Sequence, residues 1–199
     1  MEFYHSTTEE ARDAILKNNK IQITHYNMVN YIDAVLPELK AGGKIKLPSS
    51  IRGMRSVPYL GEGIYCFDDL EGADEYTPEH DAVVKIECTD KEILNLDATD
   101  FLEKLFYFLK FEFDEFLESK WFSDETKAEY KVLKKQAINY VLDLDDGDAE
   151  EIPEMNAVFL FLIFDLQQKR CPDIVVKKFE EFEYPYFAIK NEKIIEKVS

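Results

Sequence analysis

The residues with the most reactive side chains lie in a few places along the chain. His25 and His80 are far apart and lack metal-ligand spacing, so we expect both to be structural or solvent-facing and predict no metal site. Cys66 falls in a predicted buried strand without an obvious histidine partner, which argues against a nucleophilic role. The remaining candidates fall in two short segments, Phe3-Tyr4-His5-Ser6-Thr7 and Leu60-Gly61-Glu62-Gly63-Ile64-Tyr65-Cys66-Phe67.

Composition and missing motifs exclude several classes of protein. The chain contains no P-loop, GxGxxG, HExxH or GxSxG motif, which argues against the common nucleotide-binding and hydrolase folds. Its 199 residues carry a net charge of −17, so non-specific binding to nucleic acid or to an anionic membrane is disfavoured. No apolar run reaches the roughly 18 residues of a membrane span, and the N-terminus does not resemble a signal peptide. We therefore expect a cytoplasmic protein that does not bind membranes.

The first candidate segment is predicted to be a short strand that runs into a helix. Thr7 with Glu10 fits a capping box, and Ala11, Ala14 and Ile15 have helical spacing. The second segment is predicted to be a buried strand, followed by one or two helical turns over 69–76 and a strand over 82–87. Each candidate residue is thus placed on or beside a strand.

Two further regions differ in composition from the rest of the chain. Residues 41–63 are rich in glycine and proline and carry four basic residues, Lys44, Lys46, Arg52 and Arg55, which predicts a long loop with a possible binding role. From Thr99 to Leu142 strong helix formers carry an apolar stripe, which predicts a helical insertion over about 98–145. Three short strands are predicted after it, over 174–176, 186–189 and 193–198.

The two candidate segments together resemble the ADP-ribosyltransferase superfamily, in particular its His-Tyr-Glu branch of poly-ADP-ribose polymerases and bacterial toxins. That branch has "YH[GS][ST]" on an N-terminal strand and "G.G[IVF]Y[FLC]" on a later strand, with an alanine-rich helix behind it. The resemblance covers residues 3–19 and 58–97. Each motif alone is weak, but both occur here in the family's order.

The resemblance implies NAD as the substrate and a role for each matching residue. His5 would hydrogen-bond a ribose hydroxyl, and Ser6 would offer backbone groups to the nicotinamide amide. Tyr65 would stack on the nicotinamide ring, with Tyr76 as the opposite wall. The cofactor-binding residues implied overall are His5, Ser6, Thr7, Arg55, Gly63, Tyr65 and Tyr76. Arg55 and the other basic loop residues would meet the pyrophosphate or the target.

The third residue of the family pattern, a glutamate at the start of a late strand, has no direct match. Aligning the strand ends puts Pro185 or Tyr186 at the acidic position. Glu183 is the nearest upstream acid, followed by Glu181 and Glu180. In an extended strand Glu183 would share a face with Pro185 and reach a cleft, so we take Glu183 as the catalytic candidate beside His5 and Tyr65. Without such a carboxylate the protein would bind NAD without turnover or use a variant chemistry.

The sequence thus predicts an α+β fold with two twisted antiparallel sheets, a single domain over 1–199 and a helical insertion. The function implied is transfer of ADP-ribose from NAD to a protein or nucleic-acid target, as an intracellular toxin or an antiphage defence effector. An antitoxin or other regulatory protein is the expected partner. The alternative is a degenerate NAD-cleft domain that acts as a protein-binding module or as an acidic inhibitor.

Overall fold

The structure, a computed structural model, describes residues 1–23, 59–76, 79–89, 92–120, 122–145, 155–180 and 182–199. The chain divides into two compact units. The first comprises residues 1–25, 62–97 and 170–199, and the second comprises residues 26–61 and 98–169. Both candidate segments of the sequence contribute their functional residues to the first unit.

The first unit is a mixed α+β structure with two sheets, which confirms the predicted fold class at this level. One sheet has the strand order β1-β3-β7 and the other has the order β2-β6-β5-β4. The strands are β1 (Glu2–Thr7), β2 (Ile64–Cys66), β3 (Ala82–Cys88), β4 (Ile93–Asn95), β5 (Ile174–Lys177), β6 (Tyr186–Ile189) and β7 (Ile195–Val198). Two short helices of this unit are α1 (Glu9–Asn18) and α2 (Leu70–Asp74), and a 3-10 turn (Glu192–Ile194) precedes β7.

Most strand pairs are antiparallel, with one exception. β1 pairs with β3 from Glu2 opposite Glu87 to Thr7 opposite Ala82, and β2 pairs with β6 from Ile64 opposite Ile189 to Cys66 opposite Phe187. β4 and β5 run parallel, so the prediction of purely antiparallel sheets was wrong at this edge. The helical segment between these strands provides the long connection that a parallel pair requires.

Alternation along the strands separates a core face from a second face of the larger sheet. Ile64, Cys66, Phe187 and Ile189 belong to one buried cluster, together with Phe3, whose ring lies 5.1 Å from that of Phe187. The side chains between them point to the opposite face because strand side chains alternate. That second face therefore carries Tyr65 of β2 and Tyr186 of β6.

Helix α1 begins one residue later than the capping box predicted. Thr8 is the N-cap, and its side chain accepts a hydrogen bond from the Ala11 N–H at 3.3 Å. Thr7 is instead the last residue of β1, where it is buried and opposite Ala82. Asn19 ends the helix in the left-handed conformation with φ of 47°. A strand end followed directly by a helix cap thus explains the Ser-Thr-Thr run.

The second unit consists of helices in the part of the chain that the structure describes. These are α3 (Thr99–Tyr107), α4 (Phe113–Ser119), α5 (Asp124–Asp145) and α6 (Met155–Leu160), with π-helical turns at Phe108–Glu112 and Phe161–Asp165. The predicted apolar stripe is buried at its main positions, including Leu105, Leu109, Phe113, Leu117 and Leu133. Lys127 and Lys134 of α5 each reach an acid on α4, Glu118 and Asp114, at 2.8 Å. The helical character predicted for this block is confirmed.

Candidate functional site

The two candidate segments meet where β1 and β2 separate. Tyr4 and Phe67 form an isolated antiparallel bridge, with N···O distances of 2.8 and 2.9 Å. A continuing ladder would next pair Ser6 with Tyr65. The described strands show no such pair. The Tyr65 carbonyl instead accepts a hydrogen bond from Nδ1 of His5 at 2.7 Å, so the imidazole lies at the opening between the strands.

This hydrogen bond fixes the chemical form of His5. A carbonyl oxygen can only accept, so Nδ1 carries the hydrogen, and in the neutral ring Nε2 is left as an acceptor that points away from Tyr65. Burial is the main influence on His5 and lowers its pKa, against the opposing effect of the Tyr65 carbonyl. His5 is therefore neutral at pH 7 and can accept a hydrogen bond from a sugar hydroxyl.

Ser6 and Thr7 follow His5 and are both buried. The N–H and C=O of Tyr4 bond Phe67, on the side of β1 away from β3, so alternation aims those of Ser6 to the same side, toward the opening beside Tyr65. The hydroxyl of Ser6 is also buried, and it has no hydrogen-bond partner among the described residues. Ser6 thus presents its backbone groups to the opening and has, in addition, a buried hydroxyl without a partner among the described residues.

Tyr65 and Tyr76 lie on the second face of the larger sheet. Tyr65 is half-buried and opposite Ala188, while Phe67 follows two residues later on the same face. The ring of Tyr76 lies 5.6 Å from that of Phe67 and 5.8 Å from that of Tyr186. Tyr76 remains 43% exposed, so part of its ring is open to a ligand. The two tyrosines named from the sequence thus lie on the same face of the larger sheet, Tyr65 as part of β2 and Tyr76 through its contacts with Phe67 and Tyr186.

The glycines of the second segment allow backbone positions that a larger residue would disturb. A Cβ on Gly63 would lie 3.1 Å from both the Ala188 Cβ and the Ile189 carbonyl, so glycine allows the close approach of β2 to β6. Gly61 has a φ of 70°, which favours glycine. Gly63 therefore contributes to the site by setting the path of β2 before Tyr65.

His80, expected from the sequence to be structural or solvent-facing, lies beside Tyr76. Its ring lies 5.7 Å from that of Tyr76, and its Nδ1 atom is buried without a hydrogen-bond partner among the described residues. The charge of His80 is close enough to lower the pKa of His5. The neighbouring Asp81 fixes this segment by accepting the Glu9 N–H at 2.8 Å. A single histidine without a surrounding motif cannot be assigned a role from one sequence. Only the fold shows that His80 lies beside Tyr76.

Glu183, the candidate acid, lies outside β6, which begins at Tyr186. Glu183 is exposed, and its backbone carbonyl accepts a hydrogen bond from Lys178. The adjacent Tyr184 packs on α2, where a Cβ on Gly72 would lie 2.7 Å from the Tyr184 ring. Burial and a hydrogen bond to Glu71 raise the pKa of Tyr184 to about 12. The segment therefore bends before the strand and is not the extended strand that the face argument assumed.

The other acidic and basic candidates are less informative. Glu180 is exposed, and Glu181 lies outside the described residues. Arg55 and the other basic residues of the 41–63 segment also lie outside them. At the start of β6 the ring of Tyr186 is 3% exposed and packs against Phe67. In the alignment that the resemblance implies, Pro185 or this buried tyrosine stands where the family pattern has its acid.

Comparison with known proteins found no relative of this chain, so the function has to be argued from the site. No family model matches the chain, and no curated protein or solved structure matches it. Within the described ranges, no helix has the length and apolar character needed to cross a membrane. The same ranges contain no group of three or more His, Cys, Asp or Glu residues arranged to hold a metal ion.

Proposed function

We propose that the chain is an NAD-dependent ADP-ribosyltransferase that modifies a macromolecular target. The observation that carries the proposal is the 2.7 Å hydrogen bond between His5 Nδ1 and the Tyr65 carbonyl at the opening between β1 and β2. It joins the two motifs that resemble the family and leaves Nε2 of His5 available to a ribose hydroxyl. The aromatic surface of Tyr65 and Tyr76 offers a flat support for the nicotinamide ring.

The proposed reaction breaks the bond between nicotinamide and the ribose carbon C1′ of NAD. The bonding electrons leave with nicotinamide, which becomes neutral, and positive charge develops on the ribose. An acceptor hydroxyl or water then forms the new bond to C1′ and loses its proton to solvent or to a nearby base. His5 and Tyr65 contribute by holding the ribose and the leaving ring in the geometry in which this bond is weakest.

The direct test is nicotinamide release from NAD by the purified protein, with and without cell lysate. We expect release from the wild type and at least a hundredfold loss in His5→Ala and Tyr65→Ala. Tyr107→Ala is the matched control, because this exposed tyrosine lies in the helical unit and its loss should leave release unchanged. Absence of release together with absence of thermal stabilisation by NAD would refute the proposal.

A toxin or defence role adds a second expectation. Expression of the wild type should arrest growth of a bacterial host, and His5→Ala should restore it. A partner protein that neutralises the toxin would then be sought among proteins with a basic surface, because the chain carries a net charge of −17. Equal growth with wild type and His5→Ala would leave the transferase without a toxic role.

The second candidate function is an NAD-cleft domain without turnover that acts as a binding module or acidic inhibitor. The observation that favours it is the lack of an acid at the start of β6, where Pro185 precedes the buried Tyr186 and Glu183 is exposed. Thermal stabilisation by NAD without nicotinamide release would support the module. An acidic inhibitor would be indifferent to NAD and to changes at His5 and Tyr65.

A further inference from the structure

Two buried polar side-chain atoms of the described chain have no hydrogen-bond partner, Oγ of Ser6 and Nδ1 of His80. Buried polar groups in native proteins are almost always hydrogen-bonded, since an unsatisfied group has given up water without compensation. Neither atom is explained by the packing of the core. A ligand that supplies both partners would remove this cost when it binds.

Both atoms belong to the face that carries Tyr65. Ser6 shares its side of β1 with Tyr4, whose bridge partner Phe67 lies on that face of the larger sheet. His80 reaches the same face through Tyr76, whose ring contacts Phe67 at 5.6 Å and His80 at 5.7 Å. A flat ring bound at this face would therefore lie on the side of the sheet to which both atoms belong.

The chemistry of the two atoms is complementary. The hydroxyl of Ser6 can donate to a carbonyl oxygen, and a neutral imidazole with its hydrogen on Nε2 accepts at Nδ1. A carboxamide has one carbonyl acceptor and an NH₂ donor, so it satisfies both. A carboxylate has only acceptors, so Nδ1 could bond it only after the hydrogen moves from Nε2 to Nδ1 or the ring takes up a second proton.

We propose that Nδ1 of His80 accepts a hydrogen bond from the carboxamide NH₂ of nicotinamide, and that this contact selects NAD over its deamidated analogue. Ser6 completes the recognition by donating to the carboxamide oxygen. His80 is thus a specificity-determining residue of the site. This inference rests on the proposed function, because it takes NAD as the ligand.

Two variants distinguish the contribution of Nδ1 of His80 from that of its ring. His80→Phe keeps an aromatic ring against Tyr76 and removes Nδ1. His80→Asn gives up the ring but places an amide oxygen, a hydrogen-bond acceptor, near the position of Nδ1. The measurement is the dissociation constant of NAD and of nicotinic acid adenine dinucleotide, by calorimetry at pH 8, for the wild type and both variants.

The wild type is expected to bind NAD at least tenfold more tightly than the acid dinucleotide, a difference of 1.4 kcal/mol. His80→Asn should keep most of this preference. His80→Phe should lower it to within about threefold, chiefly by weakening NAD. Equal binding of both dinucleotides by the wild type, or an unchanged preference in His80→Phe, would overturn the inference while leaving NAD binding intact.

Failure of the proposed function gives a different result, since the wild type would then bind neither dinucleotide. Should His80→Phe not fold, His80→Gln replaces it, because its amide extends to the position of Nε2 and leaves Nδ1 without a substitute. The preference should then persist in His80→Asn and be lost in His80→Gln. Equal preferences in these two variants would contradict a role for Nδ1.

Discussion

Replacing His5 with asparagine tests whether its half-buried imidazole stays neutral. The Asn side chain places an NH₂ donor near the position of Nδ1, so the hydrogen bond to the Tyr65 carbonyl is retained. The variant therefore removes only the titration of the ring and its bulk. Any change in the pH dependence of stability then reports on the protonation of His5.

The sign of the effect follows from the lowered pKa of His5. In the unfolded chain a histidine titrates near 6.5, whereas burial lowers the pKa of His5 in the folded state. Below about pH 6.5 the unfolded chain therefore takes up a proton that the folded chain does not. The free energy of unfolding falls by up to about 1.4 kcal/mol per pH unit until the folded-state pKa is reached. Above about pH 6.5 His5 contributes no pH dependence.

The assay is urea unfolding of wild type and His5→Asn at pH 7.5, 6.5 and 5.5. Between pH 6.5 and 5.5 the wild type should lose up to about 1 kcal/mol more than the variant, the integral of the linkage relation over that unit. His80→Asn is the control for the other histidine of the site. Parallel pH profiles for wild type and His5→Asn would refute the neutral imidazole that the proposed sugar contact requires.

Three other predictions concern the scaffold of the first unit. Gly63→Ala should lower the free energy of unfolding by about 1–3 kcal/mol in urea unfolding, because its Cβ would overpack against Ala188. Asp173→Asn should lower the free energy of unfolding by a similar amount at neutral pH, and it should weaken the dependence of that free energy on pH below about pH 4. The hydrogen bond from Asn191 lowers the pKa of this buried carboxyl, so its stabilisation is lost as pH falls. Cys171 should react with a thiol reagent in the native protein well before the two buried cysteines do; equal rates for all three thiols would contradict the burial pattern.

The strands that carry the site could be predicted because their patterns are local. The aromatic run ending in His5 and the glycine-flanked Ile64-Tyr65-Cys66 each form a strand. Alternation and the turn residues beside each segment are enough to identify it as a strand. The hydrogen bond that joins His5 to Tyr65 spans 60 residues, so only the resemblance indicated that these two segments meet.

The predictions that differed from the structure depend on tertiary contacts. Thr7 and Thr8 are equally good caps in sequence, and pairing of Thr7 with Ala82 decides between them. A strand as short as β4 does not show its direction, so its parallel pairing with β5 was missed. His80 gave no signal because its place depends on a ring contact with Tyr76.

The start of β6 decides how strongly the proposed site could stabilise a cationic ribose. A carboxylate there would favour the charge that develops when nicotinamide leaves. Pro185 or Tyr186 stands at this place in the alignment that the resemblance implies, and the ring of Tyr186 packs against Phe67. The adjacent Tyr184 contacts α2, and Glu183 is exposed. In the proposed roles, His5 and Ser6 recognise neutral groups and do not replace that charge. Under the proposal, dinucleotide binding and nicotinamide release are therefore separate measurements, and the lack of a carboxylate at this place predicts that release is slow relative to binding.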